Sequence, residues 1–120
     1  RTHTDPNDPE RLLAALGGPE FAVLAGVCLG AAEAGSPVVL DGLATSVAAL
    51  IATKFSPGLH GWLVASQASR EQVHHIVLAE LGLEALMELR MRAGEGVGAC
   101  FGAQMILTGL QVRRTAARTC

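Results

Sequence analysis

Two short, wholly apolar runs constrain what this chain can fold into. Val38-Val39-Leu40 lies between Gly35-Ser36-Pro37 and Asp41-Gly42, and Trp62-Leu63-Val64-Ala65 lies between Ser56-Pro57-Gly58 and Ser66-Gln67-Ala68. A strand with one face in water alternates apolar and polar side chains, whereas a strand covered on both faces reads as an unbroken apolar run. Both runs therefore predict buried strands, and helical sequence surrounds them. Asp8-Pro9 starts a helix through Leu12, Leu13 and Leu16 that stops at Gly17-Gly18. Pro19 opens a second helix over about Glu20 to Ala34, in which Ala22, Gly26 and Gly30 recur at every fourth position and permit close packing on one side. Ala44 to Lys54 reads as a third helix. Ser69 and Gln72 have the spacing of a capping box for a fourth, Arg70 to Leu81, which should stop at Gly82. A last helix is expected from about Ala99 to Arg114. Leu83 to Arg92 is divided, since its composition favours helix and its position would suit a strand. Strands alternating with helices imply an α/β fold with parallel strands.

Composition narrows the function classes. The chain has 120 residues, enough for one domain around one core. Half of them are apolar but only 3% are aromatic, so such a core depends on close approach of elements rather than on large rings. The formal net charge of −2 gives no reason to expect nucleic acid. Arg113, Arg114 and Arg118 gather in the tail, yet no aromatic residue is interleaved to stack a base, and a solvated helix end accounts for them. Cys28, Cys100 and Cys120 are an odd number without metal-ligand spacing, with Cys28 and Cys100 set among small apolar residues as small hydrophobes. That usage points to a reducing, cytoplasmic setting. Arg1 to Glu10 is too polar for a signal peptide, and Glu33 and Asp41 interrupt the longest apolar stretches, so no membrane span is expected. Arg1 to Asn7 is a polar lead-in without an initiating Met, and reads like a connection inside a longer protein.

Chemistry is expected in three loops, each after a strand or before a helix: Asp41-Gly42, Ser66 to Ser69, and Gly94-Glu95-Gly96-Val97-Gly98. Ligands in open α/β sheets bind at the carboxyl ends of the strands, and helix N-termini favour phosphate. Glu95 is the odd residue of its loop, since flanking glycines let a ligand approach without a Cβ in the way. It reads either as a reacting carboxylate or as a first-turn Glu that complements the helix dipole, and spacing alone leans to the second. Asp41 reads as a ligand-binding carboxylate or as the N-cap of the helix starting at Gly42, the cap being the commoner use. Ser69 is a capping serine by default and a phosphate contact if its loop faces the site. His74 and His75 diverge by roughly a hundred degrees on a helix and do not make a metal-binding pair. The glycine loop lacks the G-x-G-x-x-G spacing of a dinucleotide fingerprint.

Four segments in order carry a family resemblance. Gly17-Gly18-Pro19-Glu20-Phe21-Ala22-Val23-Leu24-Ala25-Gly26, Pro37-Val38-Val39-Leu40-Asp41-Gly42, Ser69-Arg70-Glu71-Gln72-Val73-His74 and Met91-Arg92-Ala93-Gly94-Glu95-Gly96-Val97-Gly98-Ala99 resemble motifs of the nicotinate-nucleotide:dimethylbenzimidazole phosphoribosyltransferase family. Leu43 stands where that family usually has Phe, Arg90 where Gly is usual, Gln72-Val73 for a common Pro-Gly, and Val97 for Ser or Thr. The family's N-terminal half, with its G-M-G-E-x-G-I-G-N-T-T loop, has no counterpart in these residues, and the tail drifts from the pattern after Ala103.

The resemblance implies a partial Rossmann-like layer of short parallel strands with flanking helices, the C-terminal portion of a larger domain. It implies phosphoribosyl transfer from nicotinate mononucleotide to dimethylbenzimidazole, giving nicotinate and α-ribazole phosphate for the lower ligand of cobalamin. Glu95 is then the candidate base, with its pKa raised by partial desolvation. Asp41, Gly42, Ser69, Gly94 and Gly96 are the candidate substrate-binding residues. Neither a metal nor another cofactor is implied, and the full-length protein is expected to be a homodimer. The alternative is a binding or structural module that keeps the fold without catalysis.

Overall fold

The two apolar runs lie side by side in the computed structural model, which describes residues 5, 7–91 and 93–116. β1 (Val38–Leu40) pairs in parallel with β2 (Leu63–Ala65), in the register Val38 with Leu63, Val39 with Val64 and Leu40 with Ala65. Period-two alternation sends Leu40, Leu63 and Ala65 to one face and Val39 and Val64 to the other. On the first face α3 (Leu43–Phe55) carries the chain from β1 towards β2, with Ala48, Ala49 and Ala52 completely buried. α2 (Pro19–Glu33) packs on α3 through Ala25 and Cys28, and α4 (Gln72–Glu80) joins the same core through Val77. Alanines at the centre are what allow three helices so close together, as a chain poor in aromatic residues requires. α5 (Val97–Ala116) covers the opposite face, where Gly102 sits against Val39 and Ser66. Both faces of the strands are thus covered, which is why their sequences do not alternate.

Most elements follow the sequence, several expectations are overturned, and one open reading is decided. α1 (Pro9–Leu16) starts as expected, the Asp8 carboxylate accepting the Arg11 amide at 3.0 Å. Trp62, expected in a strand, instead ends a 3-10 helix (Pro57–Trp62) anchored by buried Leu59. Of Leu83 to Arg92, the described residues through Met91 form no helix, and those around Met87 follow position rather than composition. Leu86 and Met87 donate to the carbonyls of Ala65 and Ser66 at 3.0 Å, Met87 accepts from Ala68, and a parallel bridge joins Gln67 to Met87. A strand edge with open carbonyls outweighs local helix propensity. Cys28 is buried, and burial pushes its thiol pKa up, but Cys100 is exposed on α5 and does not pack as expected. The side of α2 marked by Ala22, Gly26 and Gly30 is exposed, and nothing lies within 4 Å of where a Cβ on Gly26 or Gly30 would be. Most of the polar lead-in, together with Arg92, Arg118 and Cys120, lies outside the described residues.

Candidate active site

Three consecutive residues before α5 share a left-handed backbone: Gly94, Glu95 and Gly96 have φ of 60°, 56° and 84°. Glycine adopts that conformation freely, whereas a residue with a Cβ is strained there by about 1–2 kcal/mol. Glu95 is held in it by its surroundings. The Val97 amide donates to the Gly94 carbonyl at 3.2 Å and the Cys100 amide to the Gly96 carbonyl at 2.9 Å. A strained non-glycine residue enforced in this way is typical of functional loops.

Asp41 supplies the rest of the constraint. One carboxylate oxygen accepts the Gly96 amide at 3.1 Å and the other the Ala99 amide at 3.0 Å. Gly96 occupies the N-cap position of α5 but has no side chain to cap with, so the carboxylate at the end of β1 does it from across the fold. The charge also lies at the positive end of the α5 dipole. Asp41 does not cap α3, contrary to the commoner sequence reading. Thr45 Oγ1 accepts the amides of Asp41 and Gly42 at 3.0 and 3.1 Å and donates to the Gly42 carbonyl, so the Asp-Gly turn is tied without the carboxylate. Thr45 was not among the expected site residues, although its position three residues after Gly42 carries that signal.

The loop after β2 forms the other wall. Buried Gln67 presses its amide on Gly98, where a Cβ would come within 2.6 Å of Nε2, and its Oε1 finds no partner among the described residues. Ser69 does not cap α4 by the expected box. Its Oγ accepts the Glu71 amide at 3.3 Å, and the helix begins two residues later than predicted, at Gln72. The Ser69 amide donates to Nδ1 of His74 at 3.0 Å, and Nε2 of that ring lies 3.0 Å from Ser46 Oγ on α3. His74 is only 1% exposed. Its adjacency to His75 excludes a metal pair but says nothing of its packing. The overlooked signal was that His74, Val77, Leu78 and Leu81 follow the spacing of one buried helix face, where an imidazole must find partners.

These walls enclose a cleft of about 820 Å³, within the range of small-molecule sites. Glu95, Asp41, Gly42, Ser69 and Gly94 all line it, while Gly96 lies half-buried behind the Asp41 carboxylate. Thr45, Gln67 and Phe21 add a hydroxyl, an amide and an aromatic edge. Glu95 is exposed at the rim, so the described residues do not supply the desolvation expected of it. Among the described residues no group of three or more His, Cys, Asp or Glu is placed to hold a metal, and no helix is long and apolar enough to cross a membrane.

Comparison with known proteins adds a family. A family model described as phosphoribosyltransferase matches residues 1–119. A nicotinate-nucleotide–dimethylbenzimidazole phosphoribosyltransferase of Desulforudis audaxviator is 42% identical over 109 residues, covering 91% of this chain and 31% of the relative. One of the same name from Mycobacterium tuberculosis is 45% identical over 100 residues, covering 83% of this chain and 27% of the relative. The crystal structure of a protein so named from Thermus thermophilus superposes with a TM-score of 0.81 at 39% identity, covering 86% of this chain and 32% of the other. The chain therefore spans about a third of the length of the proteins it matches.

Proposed function

Because the chain belongs to the nicotinate-nucleotide–dimethylbenzimidazole phosphoribosyltransferase family, we propose that it forms the C-terminal part of an enzyme moving phosphoribosyl from nicotinate mononucleotide to dimethylbenzimidazole. The observation that carries this reading is the strained Glu95, locked by two glycines and Asp41 at the rim of a cleft that also holds Ser69 and the Asp41-Gly42 turn.

The residues suit the chemistry. Glu95 takes the N–H proton of the benzimidazole, and the electron pair this leaves raises the nucleophilicity of the other ring nitrogen. That nitrogen forms a bond to the anomeric carbon of the ribose as the bond to nicotinate breaks, its pair returning to the pyridine nitrogen. The sugar passes through an oxocarbenium-like state, which needs orientation more than a metal. Ser69, Gly42 and Gly94 are assigned to contacts with the sugar phosphate, where small residues and a hydroxyl admit an anion, while Gly96, behind the Asp41 carboxylate, shapes the loop that presents Glu95. Asp41 lines the same cleft, and with both oxygens engaged it acts by fixing the Glu95 loop. The substrates and the remainder of a longer protein would bury the Glu95 carboxylate. We assign the protein to the cytoplasm and to a homodimer, the latter in keeping with the apolar surface that Val23 and Val27 of α2 and Phe101 and Met105 of α5 leave exposed.

The test is Glu95→Gln in the full-length protein, followed by nicotinate release. Removing a general base lowers kcat by about 100-fold or more. Turnover close to the unsubstituted protein's would reject the assignment. Calorimetry with both substrates addresses the alternative, since tight binding by the unsubstituted protein without nicotinate release would mark a binding module.

A further inference from the structure

We infer that His74 is a positioning residue for the phosphate-bearing substrate: its neutral imidazole ties the Ser69 loop to α3 and so fixes the spacing between two walls of the cleft. This rests on the proposed reaction for its substrate, but not for its geometry.

The imidazole joins three separate pieces of the fold. It stands on the first turn of α4, accepts the Ser69 amide of the loop after β2, and meets Ser46 of α3. Ser69 lines the cleft on one side, and Thr45 and Val47, flanking Ser46, line it on the other. A backbone N–H can only donate, so Nδ1 facing Ser69 carries no proton. The proton is on Nε2, which donates to Ser46 Oγ. Only this neutral tautomer satisfies both partners. A second proton on Nδ1 would confront the Ser69 N–H with another donor and release the loop.

The surroundings favour the neutral form. α3 presents the Ser46 hydroxyl and the loop presents the Ser69 amide, neither of them charged. The charged and titratable groups acting on the ring are His75 and Glu71, both from the α4 end. Burial, with repulsion from His75 and against attraction to Glu71, holds the pKa below the usual 6.5. The unfolded chain therefore takes up this proton near pH 6.5 and the folded chain only at lower pH. The native state bound to fewer protons loses stability as pH falls through that window, and keeps it above.

Two full-length variants separate positioning from simple packing. His74→Phe fills the space and removes both hydrogen bonds. His74→Asn offers Oδ1 to the Ser69 amide and does not titrate. For His74→Phe, KM for nicotinate mononucleotide rises about tenfold while kcat stays within about twofold, as expected for loss of one or two hydrogen bonds that act on binding. His74→Asn recovers most of that rise. In the unsubstituted protein KM climbs only as pH falls through the lowered pKa of folded His74, beneath 6.5, and in His74→Asn that contribution to the climb is absent. Hydrogen exchange at Ser69, compared at matched pH, reports on the tie without requiring turnover: faster in His74→Phe, near normal in His74→Asn. Unchanged KM in both variants, or Ser69 exchange indifferent to the substitutions, overturns the inference even if Glu95→Gln abolishes turnover. If the unsubstituted protein releases no nicotinate, the proposed function fails, and Ser69 exchange together with calorimetric affinity for nicotinate mononucleotide still decides the role of His74.

Discussion

α2 and α5 both carry small residues one turn apart, and the structure uses them in opposite ways. On α2, Gly26 and Gly30 face outward with nothing near, while the helix buries a different stripe, Ala25, Cys28, Leu29 and Ala32. On α5, Gly98 and Gly102 are the only buried positions of a 20-residue helix, and they sit directly on Gln67, Ser66 and Val39. The N-termini differ as well. α2 has Gly18 at its N-cap position and no side-chain cap, whereas α5 receives the Asp41 carboxylate from the end of β1. Small-residue spacing permits close approach, but it does not choose the face. The choice falls to whichever face also carries the apolar bulk, or, for α5, to the strand end that anchors the first turn.

Substituting the tight stripe should show the largest effect. A Cβ on Gly102 would lie 2.7 Å from Ser66 Cβ, 3.2 Å from Ser66 Cα and 3.3 Å from Val39 Cγ1. Ser66 has little freedom to yield, since its Oγ donates to the Leu40 carbonyl at 2.6 Å and its amide to the same carbonyl at 3.0 Å. Gly102→Ala should therefore lift α5 and destabilise the protein by about 2–3 kcal/mol, read by denaturant unfolding. Because α5 carries the Glu95 loop at its start, nicotinate release should fall too. An unchanged midpoint would mean that the contact between α5 and the strands is looser than described.

Asp41→Asn should have the next largest effect. The carboxylate holds two amides, and an amide side chain turns an NH2 towards one of them. Loss of a charge-assisted cap at a helix start is worth about 1–2 kcal/mol. The same change should increase hydrogen exchange at Gly96 and Ala99 without altering exchange at Gly26. If Gly96 exchange is unaffected, the loop is held by its glycines alone and the borrowed cap is dispensable.

How far these differences could be read in advance depended on whether the signal was local. Apolar runs bounded by Gly and Pro gave both strands to within a residue, because nothing but burial on two faces suits Val38-Val39-Leu40. The Asp8 cap and the α4 stop at Gly82 are also properties of a few consecutive residues. The same local view pointed to Asp41, Ser69 and Glu95 as candidates but misjudged how two of them are used. Asp41 caps a helix 55 residues away, not its own, and Ser69 is tied through its backbone to a histidine, not through a capping box. Such pairings depend on which loops the sheet brings together. Met87 and its neighbours followed the same rule, their helix-favouring composition yielding to the open edge of β2. Thr45, three residues after Gly42, and the buried stripe of His74, Val77, Leu78 and Leu81 were legible and left unread.

The open stripe should give the smallest effect and the opposite sign. Gly26 lies inside α2 with an ordinary helical backbone and no atom within 4 Å of where a side-chain methyl would sit. Alanine there removes conformational freedom from the unfolded chain and should stabilise by about 0.5–1 kcal/mol in the absence of a partner. Valine at the same place should gain less, since β-branching restricts it in a helix. In the full-length protein the sign reports on what lies over this face. A gain on Gly26→Ala leaves the stripe open and keeps the contrast with α5 intact. A loss of about 1 kcal/mol or more, steeper for Gly26→Val, would place a second helix or a second subunit against α2 at the close approach that glycine permits. The difference between the two helices would then lie in the partner each one meets: the strands of its own fold for α5, and another surface for α2.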